Sequence, residues 1–151
     1  SLTTCSSPYR GADLPSVGEW KESLNKNGIA AWSKTMMGQR FYDGAIGAAE
    51  YAWFNAQQST CDAETLLGWG GCLLKIDLSE TIKKIAVPTL LLAADNSPYV
   101  TVDIANAMRK LIPGAEMMVF PDARHGLPFS HGDECAMALL GFLDRKGFVS
   151  E

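Results

Sequence analysis

The chain has 151 residues, of which 47% are hydrophobic and 20% charged, and its 13 basic and 17 acidic residues give a net charge of −4. This length and composition suffice for a globular domain with a hydrophobic core. The acidic balance, with no basic run, argues against nucleic acid or an anionic membrane as a partner. No apolar stretch approaches the roughly 20 residues that span a bilayer, and no signal peptide is recognisable.

The four cysteines lie far apart in the sequence, without C-x-x-C spacing or a neighbouring histidine to complete a metal site. We therefore expect free thiols, no metal and no cofactor, and a location in the reducing cytoplasm. The cysteines are Cys5, Cys61, Cys72 and Cys135.

The first half of the chain predicts one short strand followed by helices. Residues 1–5 have the character of a strand end, and a loop follows up to residue 17. Asp77 and Glu80 have the spacing of a capping box, which predicts a short helix as far as Lys84. Apolar residues at helical spacing, interrupted by glycine, predict the other helices. These cover residues 17–26, where Asn27-Gly28 is the stop signal, and residues 29–37, 41–54 and 61–74.

Residues 85–129 predict a β-α-β unit. Two short apolar runs, 88–93 and 116–120, have the length and the bounding turn residues of buried strands. Between them, apolar residues recur at helical spacing, with Thr101 as the expected N-cap and Pro113-Gly114 as the stop.

Each predicted strand of this unit ends in a polar loop. The first loop carries Asp95 and the second carries His125. In an open parallel α/β sheet the loops after the strands share one edge, where the chemistry is usually found. The sequence therefore predicts that a carboxylate and a histidine lie side by side.

The order and spacing of these segments resemble the C-terminal part of the α/β-hydrolases. That family has a VPTL strand, an acid-bearing loop, an IPGA helix end, a strand leading to the catalytic histidine, and a final helix. Residues 87–90, 112–115, His125 and 139–143 fall at the corresponding spacing. Further upstream, residues 27–31 ahead of Arg40-Phe41, and 76–78 ahead of Ile85, are similar to the cap of the 3-oxoadipate enol-lactone hydrolases.

The resemblance implies an α/β fold in which parallel strands with flanking helices form the C-terminal part of a hydrolase sheet, joined to a small helical cap. Residues 1–7 would end a core strand, residues 8–84 would form the cap and a return helix, and residues 85–151 would form the β-α-β-α part of the core.

A catalytic domain of this family is about twice as long, and its nucleophile elbow, Gly-x-Ser-x-Gly, precedes the acid and the histidine. No such pentapeptide occurs in this sequence. We therefore expect the back half of a hydrolase, with the N-terminal strands and the elbow absent.

By this resemblance, His125 would be the general base that takes the proton of a serine or cysteine nucleophile and returns it to the leaving group. The family's acid stands directly before a proline, and Ser97 occupies that position here. Because serine carries no charge, Asp95, two residues earlier, is the remaining candidate acid, although it could equally serve only to form a turn. We take His131 as a surface residue.

Tryptophan is concentrated in the predicted cap. Such rings usually pack small helices together. Alternatively, one or two of them line an apolar pocket that holds a small acyl or lactone group away from water, and Trp32 and Trp53 are the candidates for substrate binding.

Three functions are compatible with these features. One is the C-terminal part of a carboxylic ester or lactone hydrolase of the 3-oxoadipate enol-lactonase type, which supplies the cap and the histidine but is inactive alone. Another is a non-catalytic relative that acts as a binding module. The third is a cofactor-free haloperoxidase or C–C bond hydrolase. Because strand 88–93 would have an unpaired apolar edge, we also expect the missing half, or another copy of the chain, as a partner.

Overall fold

A computed structural model describes residues 1–14 and 19–148. In this part of the chain, three parallel strands form one sheet in the order β1-β2-β3. Both predicted strands of the β-α-β unit are confirmed to within a residue. β2 is paired on both sides, so the unpaired edge predicted for residues 88–93 is wrong, and β1 and β3 form the edges instead. The strands are β1 Leu2–Cys5, β2 Thr89–Ala94 and β3 Glu116–Phe120.

Helices connect and follow the strands. Over residues 1–14 and 19–148, four helices lie between β1 and β2, one connects β2 to β3, and two follow β3. None in the described ranges is long and apolar enough to cross a bilayer. In chain order they are α1 Trp20–Arg40, α2 Ala48–Ser59, α3 Ala63–Lys75, α4 Ser79–Ile82, α5 Val102–Leu111, α6 Leu127–Ser130 and α7 Gly132–Arg145, and a 3-10 turn spans Gly11–Asp13.

The predicted break at Gly28 is confirmed. Its φ of +75° is non-helical, so α1 consists of two helical segments that meet there. The predicted helix began at residue 17, which lies outside the described residues. The second segment continues through Gly38 to Arg40, because a single glycine costs a helix only about 1 kcal/mol.

The helix predicted over residues 41–54 begins too early. Residues 41–47 are non-helical, and α2 starts at Ala48. Phe41 is only 2% exposed, and its ring packs edge-to-face on Phe54 at 5.4 Å. An apolar residue in a loop thus fills the core, and the sequence pattern cannot distinguish it from a residue on a helix face.

Two capping predictions have different outcomes. Thr101 is the N-cap of α5, where its side chain accepts a hydrogen bond from an amide of the first turn. The capping box at Asp77 does not form. Asp77 instead accepts from Ser79, while Glu80 pairs with Lys83. The helix there is only four residues long.

The core covers both faces of β2, which is buried along its whole length. Leu90 and Leu92 face α6 and α7, where Phe142 is fully buried. Leu91 points to the opposite face and packs with Met108 of α5. A third cluster of buried side chains joins α1 to the loop after β2, next to the carboxyl edge of the sheet. It contains Leu14, Leu24, Trp32, Met36, Tyr99 and Val100.

Candidate active site

The loops after β2 and β3 lie side by side, as the sequence predicts. The amide of Asn96 donates to the carbonyl of Ala123 at 3.1 Å. The carboxylate of Asp95 accepts from the amides of Asp122 at 3.1 Å and Ala123 at 3.0 Å. These bonds fix the backbone just before His125.

Asp95 stabilises the histidine loop and makes no hydrogen bond to the imidazole in the described part of the chain. Asp122 has a φ of +54°, so the carboxylate supports a turn in the left-handed region. Burial raises the pKa of Asp95, but hydrogen bonds from the amides of Ala123 and Asp122 and from Asn96 hold it below its usual value. This geometry gives no support to Asp95 as the triad acid.

Ser97 is the polar neighbour of His125. It is only 4% exposed, and its Oγ lies 3.2 Å from the imidazole Nδ1. The same oxygen accepts from the amides of Val100 at 3.1 Å and Tyr99 at 3.4 Å. With both lone pairs engaged, the hydroxyl has its own hydrogen left to donate to Nδ1. A neutral imidazole that accepts at Nδ1 carries its proton on Nε2.

This tautomer is the reverse of the one in a Ser-His-Asp triad. There, the acid accepts from Nδ1–H and leaves Nε2 free to take the proton of the nucleophile. Ser97 contacts Nδ1, the nitrogen that the acid of a triad contacts, and as a donor it would favour the opposite tautomer.

A cavity of about 300 Å³ opens beside His125. It is enclosed by the end of β1, by α1 and α3, and by the loops after β2 and β3. Among the described residues, no aspartate or glutamate lines it. The lining residues are Cys5, Ser6, Ser7, Pro8, Leu14, Trp20, Arg40, Leu73, Tyr99, Val100 and His125.

The tryptophan that lines this cavity is Trp20. Trp32 is only 2% exposed and packs edge-to-face on Trp20 at 5.5 Å. Trp53 is 56% exposed and stacks on Phe129 at 6.3 Å. The structure does not place the predicted substrate-binding pair, Trp32 and Trp53, beside His125. Both line a separate groove of about 410 Å³, which Arg40 also borders.

Arg40, the last residue of α1, is the cation of this site. Its Nε donates to the side-chain oxygen of Gln58 at 2.9 Å, and its guanidinium lies 5.6 Å from the ring centre of Phe54. Within residues 1–14 and 19–148, it forms no ion pair with a carboxylate. In the sequence, Arg40 is recognisable only as part of the cap resemblance, because no local pattern marks it as a pocket residue.

Burial sets the protonation states around the cavity. Burial and the nearby charge of Arg40 lower the pKa of His125 to about 4. Burial also raises the pKa of Tyr99 to about 12. The two rings pack edge-to-face at 4.9 Å. At neutral pH the histidine is therefore uncharged and the tyrosine protonated, which leaves Arg40 as the charge in the cavity.

The loop that carries His125 docks tightly on the end of α1. The amide of Gly126 donates to the carbonyl of Arg40 at 2.9 Å. A Cβ at position 126 would lie 2.2 Å from the ring of Phe41. Arg124 donates to the carbonyl of Gly38 and stacks on a tyrosine ring. His125 is thus positioned by α1 as well as by Ser97.

Substitution of Gly126 tests this docking. We expect Gly126→Ala to lower the free energy of unfolding by about 1–3 kcal/mol, because the methyl group displaces Phe41. Gly68→Ala in α3 is the matched control, since that position has open space and should be neutral or slightly stabilised. Urea unfolding measures both. Equal stability of the two variants would mean that the contact is not tight.

Burial of His125 also makes stability depend on pH. Its pKa of about 4 lies below the ordinary value of 6.5, so in that window the unfolded chain binds a proton that the folded chain does not. The free energy of unfolding should therefore fall as the pH drops from 6.5 to 4, by at most about 3 kcal/mol. Urea unfolding at several pH values measures this. His125→Gln should flatten the profile, and an unchanged profile would contradict the burial of an uncharged imidazole.

No protein-family model matches the chain. Among solved structures, the enol-lactonase from Burkholderia xenovorans LB400 superposes with a TM-score of 0.83 at 16% identity, over 94% of this chain and 55% of that one. A hydrolase from Pseudomonas aeruginosa PA01 gives 0.80 at 19% identity, over 94% and 54% of the two chains. A bromoperoxidase from Bacillus anthracis gives 0.80 at 17%, over 95% and 58%. At these identities the likeness is one of fold, and the chain spans about half the length of each neighbour.

Proposed function

We propose that this chain, which has the α/β-hydrolase fold over the C-terminal half that its sequence predicted, supplies the histidine and the helical cap of an enzyme that hydrolyses a small carboxylic ester or lactone. The observation that carries the proposal is the position of His125. It follows the last strand at the carboxyl edge of a parallel sheet and lines an apolar cavity of about 300 Å³. This is where ligands bind in open α/β sheets.

In this proposal residues 1–7 and 85–151 belong to the core, and residues 8–84 form the cap and the return to β2. Leu14, Trp20 and Leu73 would exclude water from the acyl or lactone group. His125 would act as the general base toward a nucleophile from outside this sequence, which contains no Gly-x-Ser-x-Gly elbow. The four free thiols favour the cytoplasm as its location. The likeness to an enol-lactonase supports a lactone of that kind as substrate.

A second candidate is a binding module without catalysis. Ser97 favours it, because a base whose Nε2 already carries a proton cannot accept another there without first changing tautomer. The same cavity would then hold a ligand without transforming it.

Turnover of a p-nitrophenyl ester tests the hydrolase proposal, using the chain alone and together with any polypeptide that co-purifies with it. We expect turnover only in the presence of a polypeptide that carries a serine or cysteine nucleophile. His125→Ala should then reduce kcat at least 100-fold, because general bases contribute about 10²- to 10⁴-fold.

His131→Ala is the matched control, since His131 contacts Ser130 and does not line the cavity. Equal losses in both variants, or none in His125→Ala, would contradict the role of His125. Absence of turnover under every condition would favour the binding module.

A carboxylate in place of the Ser97 hydroxyl should increase the rate of ester hydrolysis that depends on His125. We expect Ser97→Asp to raise kcat by at least tenfold in the active assembly, because it favours the Nδ1–H tautomer. Ser97→Asn is the control of similar size without a charge. A folded Ser97→Asp variant with no gain would mean that the tautomer of His125 does not limit the reaction.

A further inference from the structure

We infer that the cavity beside His125 binds a small organic monocarboxylate, whose head group is held by Arg40 and by the Nε2–H of His125. This inference rests on the proposed function only in that it concerns the same cavity. Binding of the carboxylate requires no nucleophile.

The charge of the cavity is the first reason. Arg40 is half-buried, and its single side-chain hydrogen bond within the described ranges is from Nε to Gln58. The four N–H groups on its two terminal nitrogens are therefore available to donate hydrogen bonds to a ligand. Buried cations are normally paired with an anion, yet no aspartate or glutamate of residues 1–14 and 19–148 lines the cavity. A ligand carboxylate would supply the missing partner, in the bidentate geometry that guanidinium favours.

The support of Arg40 is the second reason. Gln58 is 8% exposed and accepts from Arg40, while its Nε2 donates to the Oγ of the fully buried Ser33 at 2.9 Å. Ser33 in turn donates to Asn55 at 2.8 Å. This buried chain of neutral groups between α1 and α2 orients the guanidinium without neutralising it. The full positive charge remains for a ligand.

Two further polar residues, His125 and Ser6, line the same cavity. With Ser97 as the donor to Nδ1, as the amides on its Oγ favour, the imidazole of His125 would carry its N–H at Nε2. Ser6, directly after β1, has a φ of +45°, and its Oγ is buried from solvent. An imidazole N–H beside the guanidinium of Arg40 would favour a ligand that bears a hydrogen-bond acceptor.

The residues that line the cavity constrain the part of the ligand that is attached to the carboxylate. Leu14, Trp20, Leu73 and Val100 give the cavity an apolar side, and its volume of about 300 Å³ is at the lower end of small-molecule sites. A monocarboxylate with one aryl ring or a short alkyl chain fits both the walls and the charge. Such an acid is also the product of ester hydrolysis, so the site suits product or a substrate that bears a free carboxylate.

Calorimetric titration of the 151-residue chain with phenylacetate and with its neutral amide, phenylacetamide, tests the inference. We expect the acid to bind at least tenfold more tightly than the amide. Arg40→Gln should remove that preference by taking away the cation. Gln58→Glu should also remove the preference for the acid, because the new carboxylate would form an intramolecular ion pair with the guanidinium of Arg40.

Arg109→Gln is the matched control. Arg109 also donates its Nε to a side-chain amide, that of Asn106 at 3.1 Å, but it lies outside the cavity. This variant should bind phenylacetate like the parent chain. The comparison of acid and amide on the parent chain requires no variant, so it decides the matter even if a substitution prevents folding.

Equal binding of acid and amide, no binding of either, or an unchanged preference in folded Arg40→Gln would overturn the carboxylate site. These outcomes leave the proposed hydrolase function intact, because they involve no turnover. Conversely, phenylacetate binding without turnover in any assembly would overturn the hydrolase function and retain the carboxylate site.

Discussion

The hydrogen bond between Ser97 and His125 joins the two loops at the carboxyl edge of the sheet. Its geometry depends on the parallel pairing of β2 and β3, which brings residues 28 positions apart in sequence within 3.2 Å. The amides of Tyr99 and Val100 both donate to the hydroxyl oxygen, which favours Ser97 as the donor to the imidazole. The backbone of the loop after β2 would thereby influence the tautomer of His125.

The helices between β1 and β2 complete the site from the other side. Arg40 at the end of α1 contributes the charge, and its carbonyl also anchors the histidine loop through Gly126. One residue thus connects the position of His125 with the electrostatics of the cavity. Gln58 accepts the hydrogen bond of the guanidinium through a neutral amide, so it does not neutralise the positive charge that Arg40 brings to the cavity.

Local sequence signals predicted much of this arrangement. The two strands, the Thr101 cap, the break at Gly28 and the meeting of the two polar loops all depend on short-range patterns. The serine before Pro98 was also visible, and the structure adds its contact with Nδ1 of His125. Trp20, Arg40 and Gln58 were not predicted as site residues, because their roles depend on how α1, α2 and α3 pack. For the same reason, residues 41–47 were assigned to a helix when they form a loop.

The most direct test is the tautomer of His125, read from ¹⁵N chemical shifts and long-range ¹H–¹⁵N correlations of the labelled chain at neutral pH. We predict a proton on Nε2 and an unprotonated Nδ1 that accepts from Ser97, with Ser97→Ala relaxing the preference. A proton on Nδ1 in the parent chain would contradict the account, since Ser97 would then act as an acceptor and His125 would have the tautomer of an ordinary triad base.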